Sequence, residues 1–257
     1  MINRHAKILE ILTKNQRIEV SVLASNLGVS TVTIRKELAV LEEQGIIRRE
    51  HGYAVIGSVD DVGRRMAYHY EVKRRIAQAA VEIIQDGEVV MLESGSCCAF
   101  LAEAVAKQKR DITVITNSTF IANHIRHAAH LKIIILGGNY QPESQVVVGP
   151  VTRKCAEWFF TDKLFIGTDG FTEQFGFTSK DHLRAETIQA MAKQVRQLIV
   201  LTESDKFLQH GVVELVRTED VSILFTDDNI PFEKEVILLE NKVQVHKVPA
   251  NMKEIAR

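Results

Sequence analysis

Cysteine, proline and tryptophan are all scarce in this sequence of 257 residues, which contains three Cys, four Pro and one Trp. Three cysteines, Cys97, Cys98 and Cys155, are too few for a disulfide framework, and their spacing matches no zinc motif. A reduced, cytoplasmic protein without a metal or other cofactor is therefore expected. Apolar runs are also short, since none approaches the roughly 18 residues of a membrane span. Charges within the first apolar stretch argue against a signal peptide, and no membrane partner is expected.

Net charge is nearly absent, at −1, but the two parts of the chain differ in sign. Residues 1–75 carry 13 Lys and Arg against 9 Asp and Glu, whereas the remaining residues carry 19 against 24. A basic first part and an acidic second part suit a nucleic-acid-binding module joined to one that does not contact nucleic acid. The excess is small, so it supports this division without establishing it.

Two short helices joined by a tight turn are predicted over residues 20–27 and 31–44. Gly28 stands where a left-handed residue ends the first helix at least cost. Ser30 then offers a hydroxyl group that can cap the second helix. An amphipathic helix over residues 3–13 would pack against the pair. This pattern predicts a helix-turn-helix.

The start of the second helix carries a polar face opposite its apolar side. Hydroxyl groups and Arg can hydrogen-bond to base edges in a major groove, and Lys can pair with phosphate. A plain pair of antiparallel helices with a solvated basic end is the alternative. The favoured interpretation predicts contact with double-stranded operator DNA through Ser30, Thr31, Thr33, Arg35 and Lys36.

A basic hairpin is predicted directly after these helices, over residues 45–55. Gly52 permits the turn, and Arg48, Arg49 and His51 would lie over phosphates or in the minor groove, as the wing of a winged helix. A solvated surface hairpin is the alternative. Its position after a helix-turn-helix favours the wing.

The chain is predicted to divide into three parts. Residues 1–57 form a winged helix-turn-helix DNA-binding domain, and residues 58–71 form a linker that begins among Gly, Ser and Asp. Residues 72–257 form an α/β domain for effector sensing and oligomerisation, because helices alternate there with short buried strands, as in a mostly parallel sheet. The predicted strands cover residues 89–92, 112–115, 132–136, 163–166, 198–201, 222–225 and 244–246.

Small polar residues follow five of these strands, at the edge of the sheet where ligands of parallel sheets bind. The backbone N–H groups at the start of the helix after Gly95 favour an anion, Lys206 supplies a cation, and carboxylates can bind hydroxyl groups. A phosphate with several hydroxyl groups describes a sugar phosphate. The candidate effector-binding residues in these loops are Glu93, Gly95, Ser96, Cys97, Thr116, Asn117, Ser118, Gly137, Gly138, Asp169, Glu203 and Lys206.

Other functions remain open at this point. Asp169, Glu203 and Lys206 could transfer protons in a sugar-phosphate isomerase or hydrolase with an accessory DNA-binding domain, although no nucleophile–base pair is evident. A winged helix could also serve as a protein-interaction adaptor. The histidines at 124, 127 and 130 are more typical of solvated or capping residues than of a metal site. Residues 158–160, Trp-Phe-Phe, are expected in the core.

The whole combination resembles the DeoR family of bacterial transcriptional regulators. In the first part the similar stretch is LASNLGVSTVTIRKELAVLEEQGIIRREHG; in the second the similar stretches are TVITNS, ILGGNY, VVGP and LFIGTDG. The resemblance implies a DNA-binding repressor, not an enzyme. It also implies a homo-oligomer, dimer or tetramer, whose operator affinity is controlled by a phosphorylated sugar or related metabolite, with a second domain similar to sugar-phosphate isomerase folds.

Several positions depart from the pattern of that family. Glu93 stands where the first sensor loop usually has Asp, and Cys97 replaces a Thr. Glu203 likewise replaces an Asp, and Arg184 stands where the family often has Glu. A guanidinium group in place of a carboxylate favours a more anionic effector, which adds Arg184 to the candidate effector-binding residues.

Overall fold

The computed structural model describes residues 2–250, including the side chains of residues 4–250. The chain forms two compact units with a boundary between Glu71 and Val72. Within the described residues, no helix has the length and apolar character needed to cross a membrane.

The first unit is a winged helix-turn-helix, as predicted. An antiparallel sheet in the order β1-β3-β2 accompanies its helices, so the wing has a third strand besides the predicted two. The added strand was missed because its pairing partner, β3, lies beyond the helix-turn-helix in the sequence. The elements are α1 (Ile2–Asn15), β1 (Arg17–Glu19), α2 (Val20–Leu27), α3 (Thr31–Glu43), β2 (Arg48–Glu50), β3 (Tyr53–Val55) and α4 (Val62–Ala67).

Glycine ends both helices of the helix-turn-helix. Gly28 has φ 63° and ψ 35°, the left-handed conformation that the sequence predicted. The Val29 N–H donates to the Ala24 carbonyl at 3.1 Å, which closes the last turn of α2 in a Schellman motif. Gly45, with φ 72°, ends α3 in the same manner. The two stops fix the turn that sets α3 against α2.

Helix α3 is held to the rest of the unit by its apolar side. Ile34, Leu38 and Leu41 are fully buried. An ion pair of 2.9 Å between Arg4 and Glu37 also ties α1 to α3. These contacts fix the position of α3 in the unit and leave its opposite face exposed.

Replacing Leu38 with Ala should lower the free energy of unfolding of the first unit by about 2–5 kcal/mol, because a buried Leu leaves a cavity that the packed helices fill only in part. Leu38 has no exposed surface. Urea denaturation followed by circular dichroism measures the change. Val40→Ala, at a position 42% exposed on the same helix, is the matched control and should change the free energy little.

The segment predicted as a linker contains helix α4. The Asp61 carboxylate caps this helix by accepting a hydrogen bond of 3.1 Å from the Arg64 amide. Val62 and Met66 are buried. Gly63 lies so close to the Gly45 carbonyl oxygen that a Cβ atom there would be 2.5 Å from it. Much of the segment is thus ordered against the first unit.

The second unit is built on a seven-stranded parallel sheet in the order β15-β14-β12-β9-β4-β5-β6, which confirms the predicted α/β fold. All seven predicted strands are present, with small shifts of their ends. The strands are β4 (Val89–Leu92), β5 (Thr113–Thr116), β6 (Lys132–Ile135), β9 (Thr161–Ile166), β12 (Val195–Leu201), β14 (Ile223–Asp227) and β15 (Gln244–Val248).

Among the described residues, one helix precedes these strands and five connect them; two 3-10 turns lie at Ser204–Leu208 and Thr218–Asp220. Helix α7 is short, since the chain forms turns after His124. The helices are α5 (Tyr70–Val81), which crosses the boundary between the units, α6 (Ser96–Gln108), α7 (Thr119–His124), α8 (Pro150–Ala156), α9 (His182–Ala192) and α10 (Phe232–Glu240).

Two small antiparallel sheets were not predicted from the sequence. Strands β7 (Asn139–Gln141) and β8 (Val146–Val148) form a hairpin, and β10 (Gly170–Thr172), β11 (Gly176–Ser179) and β13 (Val213–Val216) form a sheet. Both follow strands of the main sheet and build up its carboxyl edge. The expectation that residues 158–160 lie in the core is wrong at its ends, since Trp158 is 71% and Phe160 65% exposed.

Candidate functional site

The outward face of α3 presents two cations without acidic partners. Arg35 and Lys36 are exposed, and in the part of the chain that the structure describes no acidic side chain pairs with either. Thr31 is exposed beside them. The hydroxyl groups of Ser30 and Thr33 are 2.9 Å apart, and Ser30 also accepts from the Thr33 amide at 3.2 Å. These two hydroxyl groups cap the first turn of the helix. Thr31, Arg35 and Lys36 are therefore the polar side chains of this face that are most accessible to a ligand.

The wing places its three basic residues differently. Arg48 is exposed on β2. His51 (φ 44°) and Gly52 (φ 88°) form the two-residue turn between β2 and β3, as a tight hairpin with two left-handed residues requires. Arg49 pairs with Glu42 of α3, whose carboxylate also accepts from the Arg49 amide at 2.9 Å. Arg49 therefore fixes the wing to α3, and its charge is partly neutralised.

Glu93 joins two loops at the carboxyl edge of the sheet. Its Oε2 atom accepts hydrogen bonds from the amides of Gly95, at 2.7 Å, and Gly167, at 3.1 Å. Its Oε1 atom accepts from the Ser94 hydroxyl at 2.8 Å. A Cβ atom on Gly95 would lie 3.2 Å from the Gly167 Cα atom. Glu93 and Gly95 thus hold the loops after β4 and β9 in contact, rather than projecting freely toward a ligand.

The first turn of α6 follows this junction and contains Ser96 and Cys97. Gly95, the residue before the helix, provides no side-chain cap. Cys97 is buried, and burial, followed by the nearby Glu203 carboxylate, raises the pKa of its thiol. Burial also raises the pKa of the Cys98 thiol, which donates to the Phe165 carbonyl at 3.4 Å. These shifts disfavour the thiolate form that reacts with oxidants.

The polar side chains in the loop after β5 mainly form hydrogen bonds within the protein. Thr116 Oγ1 accepts from the Ser118 amide at 3.0 Å, and Ser118 Oγ caps α7 by accepting from the Ile121 amide at 3.2 Å. Asn117 Nδ2 donates to the Val147 carbonyl at 3.3 Å. The buried Oδ1 atom of Asn117 has no hydrogen-bond partner among the described residues. Of the three residues, Asn117 alone offers a buried acceptor to a ligand.

The two glycines after β6 have different surroundings. Gly138 has φ 152°, and a Cβ atom on it would collide with Thr152 Oγ1. Gly137 has open space, with its nearest such neighbour, Val151 Cγ1, 4.0 Å away. Gly138 is therefore required for the close approach of α8, whereas Gly137 leaves room beside the sheet edge.

Asp169 and Arg184 brace the small sheets. Asp169 Oδ2 accepts from the Lys180 amide at 2.9 Å. Arg184 donates from Nε to Gln141 Oε1 and from Nη2 to Ser144 Oγ, both at 2.8 Å. The predicted effector role of Arg184 thus competes with a structural one, since these bonds occupy much of its guanidinium group.

Glu203 and Lys206 follow β12, where a further residue joins them. Lys73 of α5 forms a buried ion pair with Glu203, with Nζ and Oε1 3.4 Å apart. Lys206 is half-buried, and within residues 4–250 no carboxylate pairs with it. Both lysines lie near enough to Cys97 to oppose, weakly, the effect of burial on its pKa. The edge therefore combines two cations with the first turn of α6.

His124 lies beside an acidic side chain. Its Nε2 atom lies 3.8 Å from Glu103 Oε2. The interaction with His124 is the largest influence on Glu103 and, together with Lys107 and against the effect of burial, it lowers the pKa of Glu103 to about 2. Within the described residues, no group of three or more His, Cys, Asp or Glu side chains is placed to hold a metal ion.

Glu103 should contribute to the stability of the second unit above pH 4.5 and lose that contribution as the pH falls toward 2. Its pKa is lower in the folded chain than in the unfolded chain, so the folded state is favoured while the group is ionised. Glu103→Gln should cost about 1–3 kcal/mol at pH 7 and much less near pH 2. Urea denaturation at several pH values measures this. Equal losses at pH 7 and near pH 2 would contradict the assignment.

Comparison with known proteins assigns both units. A profile described as the DeoR-like helix-turn-helix domain matches residues 4–59, and one described as the DeoR C terminal sensor domain matches residues 68–228. The chain belongs to the DeoR family. It is a DNA-binding transcriptional regulator rather than an enzyme, as the family and the relatives below indicate.

Two curated relatives of this DeoR-family chain align over most of its length. A putative aga operon transcriptional repressor of Escherichia coli O157:H7 is 31% identical over 237 residues, covering 89% of this chain and 87% of the relative. The HTH-type transcriptional regulator GlpR of Haloferax volcanii is 27% identical, covering 88% and 90%. Among solved structures, a D-ribose-5-phosphate isomerase is 17% identical over 54% of each chain, with a TM-score of 0.40.

Two residues of this DeoR-family regulator lie beside the candidate sites and were not predicted from the sequence. Val32 is 60% exposed in the first turn of α3, beside Thr31 and Arg35. The sequence did contain a signal for Val32, namely a β-branched apolar residue on the polar face of a predicted helix. Lys73 had no signal, because only the fold brings α5 next to the residues after β12.

Proposed function

We propose that this chain is a repressor that binds a double-stranded DNA operator and responds to a phosphorylated sugar. The observation that carries the proposal is the cationic face of α3, where Arg35 and Lys36 are exposed without acidic partners on a helix anchored by a buried core. Such a face has the charge and the hydrogen-bond donors that a major groove requires. The name of the relative from Escherichia coli supports repression in particular.

On the DNA side, each residue has a distinct role. Arg35 hydrogen-bonds to a base edge, Lys36 pairs with phosphate, and Thr31 contacts either. Val32 contacts the methyl group of a thymine, which suits an exposed branched apolar side chain. Arg48 and His51 of the wing lie over the adjacent backbone or minor groove. Arg49 contributes less, because Glu42 already binds its guanidinium group.

On the effector side, the phosphate lies at the first turn of α6. The backbone N–H groups of Ser96 and Cys97 and the Lys206 ammonium group favour an anion there. The buried Asn117 Oδ1 atom accepts from a sugar hydroxyl. Gly137 leaves room for the sugar ring at the same edge. The surrounding loops are held in place by Glu93, Thr116, Ser118, Asp169 and Arg184.

The protein acts as a homo-oligomer in the cytoplasm. A two-fold arrangement of two recognition helices matches an operator with two half-sites whose centres are about one helical turn of DNA apart. Effector binding changes the spacing of the paired first units and so changes operator affinity.

The test is selection of genomic DNA fragments by the purified full chain, followed by a panel of pentose and hexose phosphates added to the selected complex. The proposal expects one fragment class to be enriched and at least one sugar phosphate to change its affinity, while the unphosphorylated sugar does not. Enrichment with no response to any phosphorylated sugar would contradict the effector class. Turnover of a sugar phosphate by the chain would instead support the enzyme alternative.

A further inference from the structure

A buried ion pair joins the helix at the start of the second unit to the proposed effector edge. Lys73 and Glu203 are each 3% exposed, and their charged atoms are 3.4 Å apart. Lys73 lies on α5, whose first two residues belong to the first unit. Glu203 directly precedes the 3-10 turn that carries Lys206. The pair therefore links the chain leaving the DNA-binding unit to the loop after β12.

Stability alone does not account for this pair. Removing two charges from water costs several kcal/mol per ion, and apolar residues of similar size are often as stable or more so. The distance of 3.4 Å is also longer than that of a close charge-assisted hydrogen bond. The charged atoms of the pair are also further apart than those of the Lys163–Glu88 ion pair of the same unit, as suits a lysine that changes partner.

The surroundings of the pair indicate what the other partner is. Cys97, in the first turn of α6, lies near Lys73, Lys206 and Glu203. An anion bound at that turn would meet the ammonium group of Lys73 and be repelled by the carboxylate of Glu203. Glu93 adds a second carboxylate, but the amides of Gly95 and Gly167 already offset its charge.

We propose that Lys73 exchanges partners: it pairs with Glu203 when the site is empty and with the phosphate group of the effector when the site is filled. The inference rests on the proposed function, since it assigns a further residue to the same site. The exchange withdraws Lys73 from the loop after β12 and shifts the start of α5. Because α5 begins with the last two residues of the first unit, this shift is the step by which the effector changes operator binding.

The experiment uses inorganic phosphate as the probe and the full chain throughout. Phosphate affinity is measured by calorimetry, and operator affinity by fluorescence anisotropy. Glu203→Gln removes the competing carboxylate, so it should bind phosphate roughly tenfold more tightly than the wild type. Its operator affinity without phosphate should equal that of the phosphate-bound wild type. The double variant Lys73→Met with Glu203→Gln should bind phosphate roughly tenfold more weakly than the wild type.

A matched control exists at the opposite edge of the same sheet. Lys163 and Glu88 form a second ion pair with little exposure, at the start of β9 and just before β4. Glu88→Gln should leave both affinities unchanged. If Glu203→Gln fails to fold, as judged by circular dichroism, Glu203→Asp shortens the side chain by one methylene and should strengthen phosphate binding in the same direction.

The outcomes separate this inference from the proposed function. Wild-type binding of phosphate with no difference among the Glu203 and Lys73 variants would overturn partner exchange and leave the effector site standing. Absence of phosphate binding by the wild type would overturn both. Tighter binding by Glu88→Gln as well as by Glu203→Gln would show a general effect of charge and would also overturn partner exchange.

Discussion

Replacing Arg35 and Lys36 together with Ala is expected to abolish selective operator binding while the protein stays folded. Both side chains are exposed and neither pairs with an acidic group of the described chain, so their loss should remove the proposed DNA contacts without breaking an internal ion pair. A base contact by Arg is worth about 1–3 kcal/mol, and a phosphate contact by Lys contributes about one unit of salt dependence. Anisotropy with operator and unrelated DNA at several salt concentrations separates the two losses.

The matched control for this prediction is Arg49→Ala. Arg49 is also an exposed basic residue of the first unit, but Glu42 binds its guanidinium group. Its replacement should weaken DNA binding less than replacement of Arg35 alone. Equal losses from Arg35→Ala and Arg49→Ala would mean that total positive charge, and not the face of α3, determines affinity. Melting curves should be unchanged for the α3 variants, since Ala is a strong helix former.

Replacing Gly95 with Val is expected to abolish the metabolite response while operator binding survives. A Cβ atom at this position would lie 2.8 Å from Glu93 Oε2 and 3.2 Å from the Gly167 Cα atom. The loops after β4 and β9 must then separate, which displaces the first turn of α6 from the proposed phosphate position. Overpacking of this kind also costs about 1–3 kcal/mol of stability. Operator anisotropy with and without the sugar phosphate measures the response.

Gly137→Ala is the steric contrast to that variant, because its nearest neighbour is 4.0 Å away and the chain should keep its stability. Operator binding by Gly95→Val should stay within the range of the wild type, because Gly95 belongs to the second unit. If DNA binding and metabolite response vanish together, the junction of Glu93 with Gly95 and Gly167 is structural only. The separation of roles between the two units would then be wrong.

The features that the sequence predicted best are those set by residues close together in the chain. Gly28 and Gly45 end their helices in the left-handed conformation because no other residue adopts it as cheaply. The buried strands of the second unit are continuous apolar runs, as strands covered on both faces must be. The common carboxyl edge of the strands then follows from their alternation with helices, whereas the order of the strands was not predicted.

The features that could not be predicted from the sequence depend on contacts between residues that are far apart along the chain. The Glu93 carboxylate is a group that can bind a ligand hydroxyl, but in the fold it accepts a hydrogen bond from the Gly167 amide. Arg49 is a basic residue of the kind that contacts DNA, but Glu42 of α3 forms an ion pair with it. Lys73 carries no local sign of a role, because its partner Glu203 approaches only in the folded chain. Strand β1 has three residues and gains its pairing from β3.

The most direct test of the account is the salt dependence of binding between the wild-type chain and its selected operator, measured by anisotropy beside unrelated DNA of equal length. Each phosphate contact should add about 0.9 to the slope of the logarithm of affinity against the logarithm of salt. The account predicts a slope of several units for both DNAs and a tighter complex with the operator at every salt concentration. Equal affinity for the two DNAs, or a slope near zero, would contradict a regulator that reads its operator through α3.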